Sequence, residues 1–73
     1  MLAIDVVDFM DIGERLVIMN SDGTTLYRGV AFVLNGEKEV NGFVDDENTM
    51  TRLFDLTVSK VTREGDTFTV VVE

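Results

Sequence analysis

The sequence predicts a mainly β fold of about five antiparallel strands, curled into a small SH3-like or partly open barrel with a short N-terminal helix. One observation is the alternation of Phe68, Val70 and Val72 with Thr67, Thr69 and Val71, the period-two pattern of a half-buried strand. A second is the pair of dipeptides Asp22-Gly23 and Asn35-Gly36, which favour tight hairpins. The third is the length of 73 residues, too short for two hydrophobic cores. Residues 1–73 are therefore expected to form a single small barrel-like domain.

The segment from Ile4 to Asp11 has the pattern of a short amphipathic helix. At about 100° per residue, its apolar and acidic side chains separate onto two arcs. The apolar arc holds Val6, Val7, Phe9 and Met10, and the acidic arc holds Asp5, Asp8 and Asp11. Gly13 is a plausible stop. A strand is the alternative, but it would place Asp8 on the same face as Ile4, Val6 and Met10.

Two hairpins are predicted next. The apolar run Leu16 to Met19 forms a strand, and after Asp22-Gly23 a long strand returns from Thr24 or Thr25 to Leu34. Gly29, within this strand, predicts a bulge or a sharp bend, as expected where a strand crosses between two halves of a small barrel. Asn35-Gly36 then leads into a strand from Glu37 to Val44, which Asn41-Gly42 interrupts.

The remaining third is expected to hold a loop, one helical turn and a last hairpin. Asp45 to Asn48 is typical of a solvated loop, with Asn48 capping a turn that contains Met50, Leu53 and Phe54. A strand from Leu56 to Arg63 and a strand from Thr67 to Val72 flank the turn Glu64-Gly65-Asp66. A β-bulge between Val58 and Val61 would let both side chains face inward.

These elements predict one hydrophobic core. Its expected members are Val7, Phe9, Leu16, Ile18, Leu26, Val30, Phe32, Leu53, Val58, Val61, Phe68, Val70 and Val72.

The composition excludes most catalytic chemistry. Fourteen acidic residues against six basic ones give a net charge of −8, and the chain has no histidine and no cysteine. It therefore lacks an imidazole base, a thiol nucleophile, and nitrogen or sulfur ligands for softer metals. We expect a protein that is not an enzyme, with no catalytic residues, no metal and no cofactor.

Three groups of polar residues are candidate sites. Asp45, Asp46, Glu47 and Asn48 could offer oxygen ligands to calcium, but the run lacks the glycine and the distant glutamate of a calcium loop, which favours a solvated loop. The carboxylates of Asp5, Asp8 and Asp11 could in principle serve glycoside hydrolysis, but they lie on the outer side of the predicted helix. Ser21 and Ser59 have no partner that would activate a hydroxyl group.

The charge also bears on the partners. Direct binding of nucleic acid is disfavoured, because only Lys60 and Arg63 lie close together among the few cations and a negative protein repels phosphate. An acidic fold can instead imitate nucleic acid and occupy a basic groove of another protein. The interpretation favoured over mimicry is that the net charge only keeps a small, fairly hydrophobic domain soluble. The strand from Thr67 to Glu73 could pair with a second copy if it lies at a sheet edge, or it could be an interior barrel strand.

The cellular location of the protein is predicted from two absences in the sequence, that of a secretory signal and that of a long apolar segment. Met1 to Met10 contain no lysine or arginine of a secretory signal, and Val30 to Leu34 is far too short to cross a membrane. These features predict a cytoplasmic protein without a membrane span.

Several segments together resemble short acidic proteins of bacterial phages and prophages that have no assigned activity. They are Val6 to Asp11, Leu16 to Ile18, Asp22-Gly23, Leu26 to Gly29, and the spacing of Val58, Val61, Phe68 and Val70. The stretch from Glu37 to Asn48 departs from that pattern, and the resemblance implies no active site. The sequence thus predicts a non-enzymatic accessory or protein-interaction domain of phage or mobile-element origin. The alternative is an acidic nucleic-acid mimic that inhibits a host DNA-binding or defence protein.

Overall fold

The described part of the chain contains one short helix and five strands. The computed structural model describes residues 1–44 and 54–73. Its elements are α1 (Ala3–Val7), β1 (Arg15–Asn20), β2 (Thr25–Leu34), β3 (Glu37–Val44), β4 (Val58–Glu64) and β5 (Thr67–Val72). The predictions of a mainly β fold, of five strands and of a short N-terminal helix are confirmed. The loop and helical turn expected from Asp45 to Leu53, and with them the core residue Leu53, lie outside the described residues.

The five strands form one mixed sheet that does not close. Their order is β3-β2-β1-β5-β4, so β3 and β4 are the two edges. β1 pairs with β5 in parallel, whereas the other neighbours are antiparallel. The expectation of an all-antiparallel sheet is therefore wrong for this central pair, and an SH3-like barrel is not confirmed. The parallel pair arises because the β1-β2-β3 meander and the β4-β5 hairpin lie side by side, an arrangement that no local turn signal encodes.

The core lies between α1 and one face of the sheet. Its fully buried side chains include Val6 of the helix, Met10 just beyond it, Leu16 and Ile18 of β1, and Val70 of β5. Burial of each such side chain contributes about 1.5–3 kcal/mol, so a five-residue helix becomes stable only by docking here. The predicted core positions Val7, Phe68 and Val72 are buried as well.

The helix is shorter than predicted, and Phe9 is not a core residue. The helix ends at Val7, and the side chain of Phe9 is 67% exposed. The chain then turns toward β1 through Gly13, whose φ is +90° and whose N–H donates to the Ala31 carbonyl oxygen at 2.9 Å. This turn buries Met10 and leaves Phe9 pointing to solvent.

A β-bulge at Leu26 decides which side chains of β2 face the helix. Ile18 pairs with Tyr27, but the next residue, Met19, pairs with Thr25, so Leu26 is the extra residue. Beyond the bulge the odd-numbered Tyr27, Gly29 and Ala31 face the core and are buried.

Two core predictions and one bulge prediction on β2 are therefore wrong. Val30 is 43% exposed and Phe32 is half-buried, both on the opposite face of the sheet, because a single inserted residue exchanges the two faces of a strand. The bulge predicted at Gly29 is absent as well, since Gly29 pairs in register with Leu16 and Gly42. Leu26 itself is half-buried and packs against the core.

The second hairpin agrees with its prediction. Asn35 and Gly36 have φ angles of 53° and 81°, as a two-residue hairpin turn with positive φ at both central positions requires. The predicted bounds of β3 are those observed, but the predicted interruption is wrong, because Asn41 and Gly42 both pair in register with β2.

The last hairpin agrees in part. The predicted bulge is present, because the pairing with β5 shifts between Val58 and Lys60 and places Val58 and Val61 on the same face. Val58 packs against the core, but Val61 is 41% exposed because β4 is an edge strand, so its prediction as a core residue is wrong. The strand begins at Val58 rather than at Leu56. β5 is an interior strand of the sheet, which rules out its pairing with a second copy as an edge.

Candidate functional site

The face of the sheet opposite α1 is the candidate site, and we call it the open face. Directly paired residues share a face, so the register places the open-face side chains of the three inner strands. They are Arg15, Val17 and Met19 of β1, Arg28, Val30 and Phe32 of β2, and Thr67, Thr69 and Val71 of β5. α1, Phe54 and Leu56 pack against the core on the other side.

The open face differs from the rest of the protein in charge. Strands β1, β2 and β5 contain no aspartate or glutamate, although the whole chain has a net charge of −8. Acidic side chains on the open face belong to the edge strands, where Glu39 pairs with Phe32 and Glu64 pairs with Thr67. The centre of the open face is thus cationic and apolar inside an acidic protein.

Arg15 and Arg28 alternate with two valines at this centre. Arg15 pairs with Val30, and Val17 pairs with Arg28, so the two arginines are diagonal neighbours across β1 and β2. Both arginines are exposed. Within residues 1–44 and 54–73, the ion pair that forms is the one between Arg63 and Glu14, and no carboxylate pairs with either arginine.

A depression of about 400 Å³, open to solvent, lies between these side chains. The lining residues are Arg15, Leu16, Val17, Arg28, Gly29, Val30, Asn41, Gly42 and Thr67. Among the residues that the structure describes, the polar groups of this lining are two guanidinium groups, one amide and one hydroxyl, with no carboxylate. Such a lining can donate hydrogen bonds to an anion and can bury an aliphatic group beside it.

Two paired glycines bring β2 and β3 close together beneath the depression. A Cβ atom added to Gly42 would overlap the carbonyl oxygen of Arg28 and the Cα of Gly29. A Cβ atom on Gly29 would meet the ring of Tyr27, which lies along β2 on the core side. Gly42 therefore allows the close approach of β2 and β3, and Gly29 leaves room for the ring of Tyr27.

The candidate acidic sites from the sequence do not form a cluster in the described part of the chain. Asp45 to Asn48 lie outside it. Asp5 accepts a hydrogen bond from the Leu2 N–H at 2.8 Å, which satisfies the start of α1, and Asp8 and Asp11 are exposed. Over residues 1–44 and 54–73, no group of three acidic side chains is arranged to hold a metal ion.

The remaining polar candidates have structural partners or lie apart. The Ser59 hydroxyl donates to the Val71 carbonyl oxygen at 3.1 Å. Lys60 pairs with Val71 and Arg63 pairs with Phe68, so the register places the two cations on opposite faces of β4. Ser21 is exposed in the β1-β2 turn. None of these arrangements activates a nucleophile or builds a phosphate-binding surface.

Glu14 is a buried acid that sequence reasoning missed. Its side chain is 9% exposed, and one oxygen accepts from Arg63 Nη2 at 2.8 Å while the other accepts from the Asp11 N–H at 2.6 Å. The guanidinium carbon of Arg63 also lies 5.1 Å from the centre of the Phe68 ring. Both carboxylate oxygens of Glu14 thus accept a hydrogen bond. Glu14 therefore joins the loop before β1 to the β4-β5 hairpin and serves a structural rather than a reactive role.

Tyr27 is a second buried polar group, on the core side of β2. Its hydroxyl is buried and has no hydrogen-bond partner among the residues that the structure describes. Burial raises the pKa of the phenol, and the ring meets Phe54 edge-on with centroids 5.4 Å apart. The side chain faces α1 and so does not contribute to the open face.

Neither a family model, nor a curated protein, nor a solved structure is significantly similar to this chain. In the described residues, no helix has the length and apolar character needed to cross a membrane.

Sequence reasoning did not single out Arg15 and Arg28. The available signal was their period-two alternation with Val17 and Val30, together with the lack of acids in three strands. It was obscured because Leu26, Val30 and Phe32 fit one alternation that ignores the bulge, and this alternation placed Val30 and Phe32 in the core.

Proposed function

We propose that this protein is a non-enzymatic accessory domain that binds another protein through its open face. The observation that carries the proposal is the absence of acidic residues from three adjacent strands of a protein with a net charge of −8. A face that needed only to be solvated would share the acidic character of the turns and edges. The open face lacks acidic residues on its three inner strands, is partly apolar and carries two arginines. This composition is typical of protein interfaces.

The chemistry of the depression supports a binding role over a catalytic one. Its polar side chains are Arg15, Arg28, Asn41 and Thr67, none of which is a general base near neutral pH. Because the chain contains no histidine and no cysteine, another part of it cannot supply an imidazole or a thiol.

The alternative, a nucleic-acid mimic, predicts a continuous stripe of carboxylates with a spacing similar to that of phosphates. The described carboxylates instead belong to separate parts of the fold: the α1 segment, the turns, and the edge strands. Scattered acids around a cationic, apolar face favour contact with a protein that is not a nucleic-acid-binding protein.

The experiment compares two matched variants of β2. Val30→Gln places a polar side chain on the open face, and Val33→Gln makes the same change on the opposite face, where Val33 is 53% exposed. A partner that is cross-linked to the wild-type protein and identified should be retained by V33Q and lost by V30Q. Far-ultraviolet circular dichroism checks that both variants are folded.

Two outcomes would contradict the proposal. Equal retention of the partner by V30Q and V33Q would show that the open face is not the interface. Capture of a DNA-binding protein that is released by moderate salt and is insensitive to V30Q would support the mimic instead. The phage or mobile-element origin and the cytoplasmic location stay predictions, and the neighbouring genes would test the first.

A further inference from the structure

We infer that the partner presents an extended acidic segment, in which two carboxylates two residues apart pair with Arg15 and Arg28 and a neighbouring aliphatic side chain enters the depression. This inference rests on the proposed function and specifies the chemistry of the partner. The open face is its binding site.

Charge complementarity identifies the class of partner. Arg15 and Arg28 are diagonal neighbours on the open face, and the part of the chain that the structure describes contributes no carboxylate to the depression between them. Two adjacent like charges repel each other, so an anion that bridges them removes this repulsion as well as forming charge-assisted hydrogen bonds. Asn41 and Thr67 supply further donors at the rim.

The spacing of the arginines fits an extended peptide. Diagonal neighbours in an antiparallel pair lie about 7–8 Å apart. In an extended chain, side chains two residues apart point the same way and are separated by about 6.5–7 Å. Two acidic side chains in the pattern acid-x-acid can therefore reach both guanidinium groups at once. Val17 and Val30 occupy the other diagonal of the same four residues, so they offer an aliphatic surface beside the two ion pairs.

The lining favours a peptide over a nucleic acid. Single-stranded nucleic acids are bound largely by stacking of bases on aromatic rings, and the lining of the depression contains aliphatic rather than aromatic side chains. The net charge of −8 would also repel a polyanion at long range, whereas a segment with two carboxylates carries little charge.

The test uses a labelled synthetic peptide, Leu-Ser-Glu-Ser-Glu-Ser-Leu, and fluorescence anisotropy with the full chain. Two matched peptides replace either both glutamates by lysine or both leucines by alanine. The protein variants are R15Q, R28Q and the double variant. K60Q is the control, because Lys60 lies on the same face but on edge strand β4, outside the lining of the depression.

The acidic leucine peptide should bind more tightly than either matched peptide. The double variant should weaken its binding about tenfold, since two partly exposed ion pairs are lost, and K60Q should change it less than twofold. Binding should also weaken as salt is added. The arginine variants should fold, because the exposed arginine side chains are not part of the core. Circular dichroism checks that they do.

Each other outcome would overturn the inference. Equal binding of the lysine peptide, an unchanged affinity in the double variant, or tighter binding of a single-stranded oligonucleotide would each exclude the acidic segment as the ligand. Self-association of the protein that is lost in the double variant would identify a second copy as the occupant. If V30Q still loses the cross-linked partner in these cases, the proposed function stands and only the partner chemistry is wrong.

Discussion

At the residue scale, Tyr27 shows how a polar group is used inside a small core. Its ring covers Gly29 on the same strand and contacts Phe54, while its hydroxyl is buried with no partner among the described residues. An unpaired buried hydroxyl costs free energy, so the ring rather than the hydroxyl is what stabilises the fold here.

We predict that the free energy of unfolding falls at alkaline pH because of Tyr27. Burial raises its pKa above the ordinary value of 10.0, so the unfolded chain ionises first as the pH rises. This contribution is fully present below about pH 10 and is lost as the pH rises through the higher pKa of the folded state. Urea unfolding between about pH 8 and pH 11 measures it, and near-ultraviolet absorbance follows the ionisation of the single tyrosine.

Tyr27→Phe is the control for this prediction. It removes the titrating group and an unpaired hydroxyl, so at neutral pH its stability should be equal to or up to about 1 kcal/mol above that of the wild type. Its loss of stability at alkaline pH should be smaller. An equal loss in both proteins would show that other groups cause it.

Much of the helix-facing core follows from local residue patterns. The alternation of Phe68, Val70 and Val72 identifies them correctly. The apolar arc of the helix includes the buried Val6 and Met10, but the predicted core took Phe9 from that arc instead of these two. The buried Glu14 could not be predicted in the same way, because its partner Arg63 is 49 residues away in the chain.

At the element scale, the hairpins form where the turn signals predict them. The residues of β2 that face the core, however, are not those that its hydrophobic pattern predicts. Asn35-Gly36 and the alternation of the last strand predict local geometry, which short-range sterics control. The bulge at Leu26 is a property of the pairing between β1 and β2, and it exchanges the two faces of the strand. This exchange is why the sequence assigned Val30 to the core and missed the open face.

We predict that Gly42→Ala destabilises the protein by about 1–3 kcal/mol. The added Cβ atom would overlap the carbonyl oxygen of Arg28, so β2 and β3 would have to move apart. The midpoint of urea unfolding measures the effect.

Asn41→Ala is the matched control for this change. Asn41 is the exposed neighbour of Gly42 on the same strand, and its replacement should change the stability by less than about 0.5 kcal/mol. If the two variants were equally stable, the close approach of β2 and β3 would not hold in solution.

At the scale of the whole molecule, net charge acts on stability as well as on partners. The molecule measures 34 × 26 × 19 Å. At 0.01 M salt, electrostatic interactions extend about 30 Å, so nearly every acidic group repels every other. At 0.15 M salt the range falls to about 8 Å.

We therefore predict that added salt raises the melting temperature. Relief of about 1 kcal/mol of repulsion would raise it by about 4–8 °C in a domain of this size. Thermal melts followed by circular dichroism at the two salt concentrations measure the change. Asp8→Asn combined with Asp11→Asn lowers the negative charge and should reduce the rise. A melting temperature that falls with salt would mean instead that ion pairs such as Glu14–Arg63 outweigh the repulsion.

The sequence by itself determined the class of the fold, the hairpin turns, the bounds of β3 and β5, and the lack of histidine and cysteine chemistry. These features depend on side chains close together in the chain or on composition alone. The tertiary structure decided the parallel pairing of β1 with β5, the open sheet, the exposed positions of Val30 and Phe9, and the juxtaposition of Arg15 with Arg28. Each of these depends on which strands pair and in which register, and residues far apart in the chain determine that together.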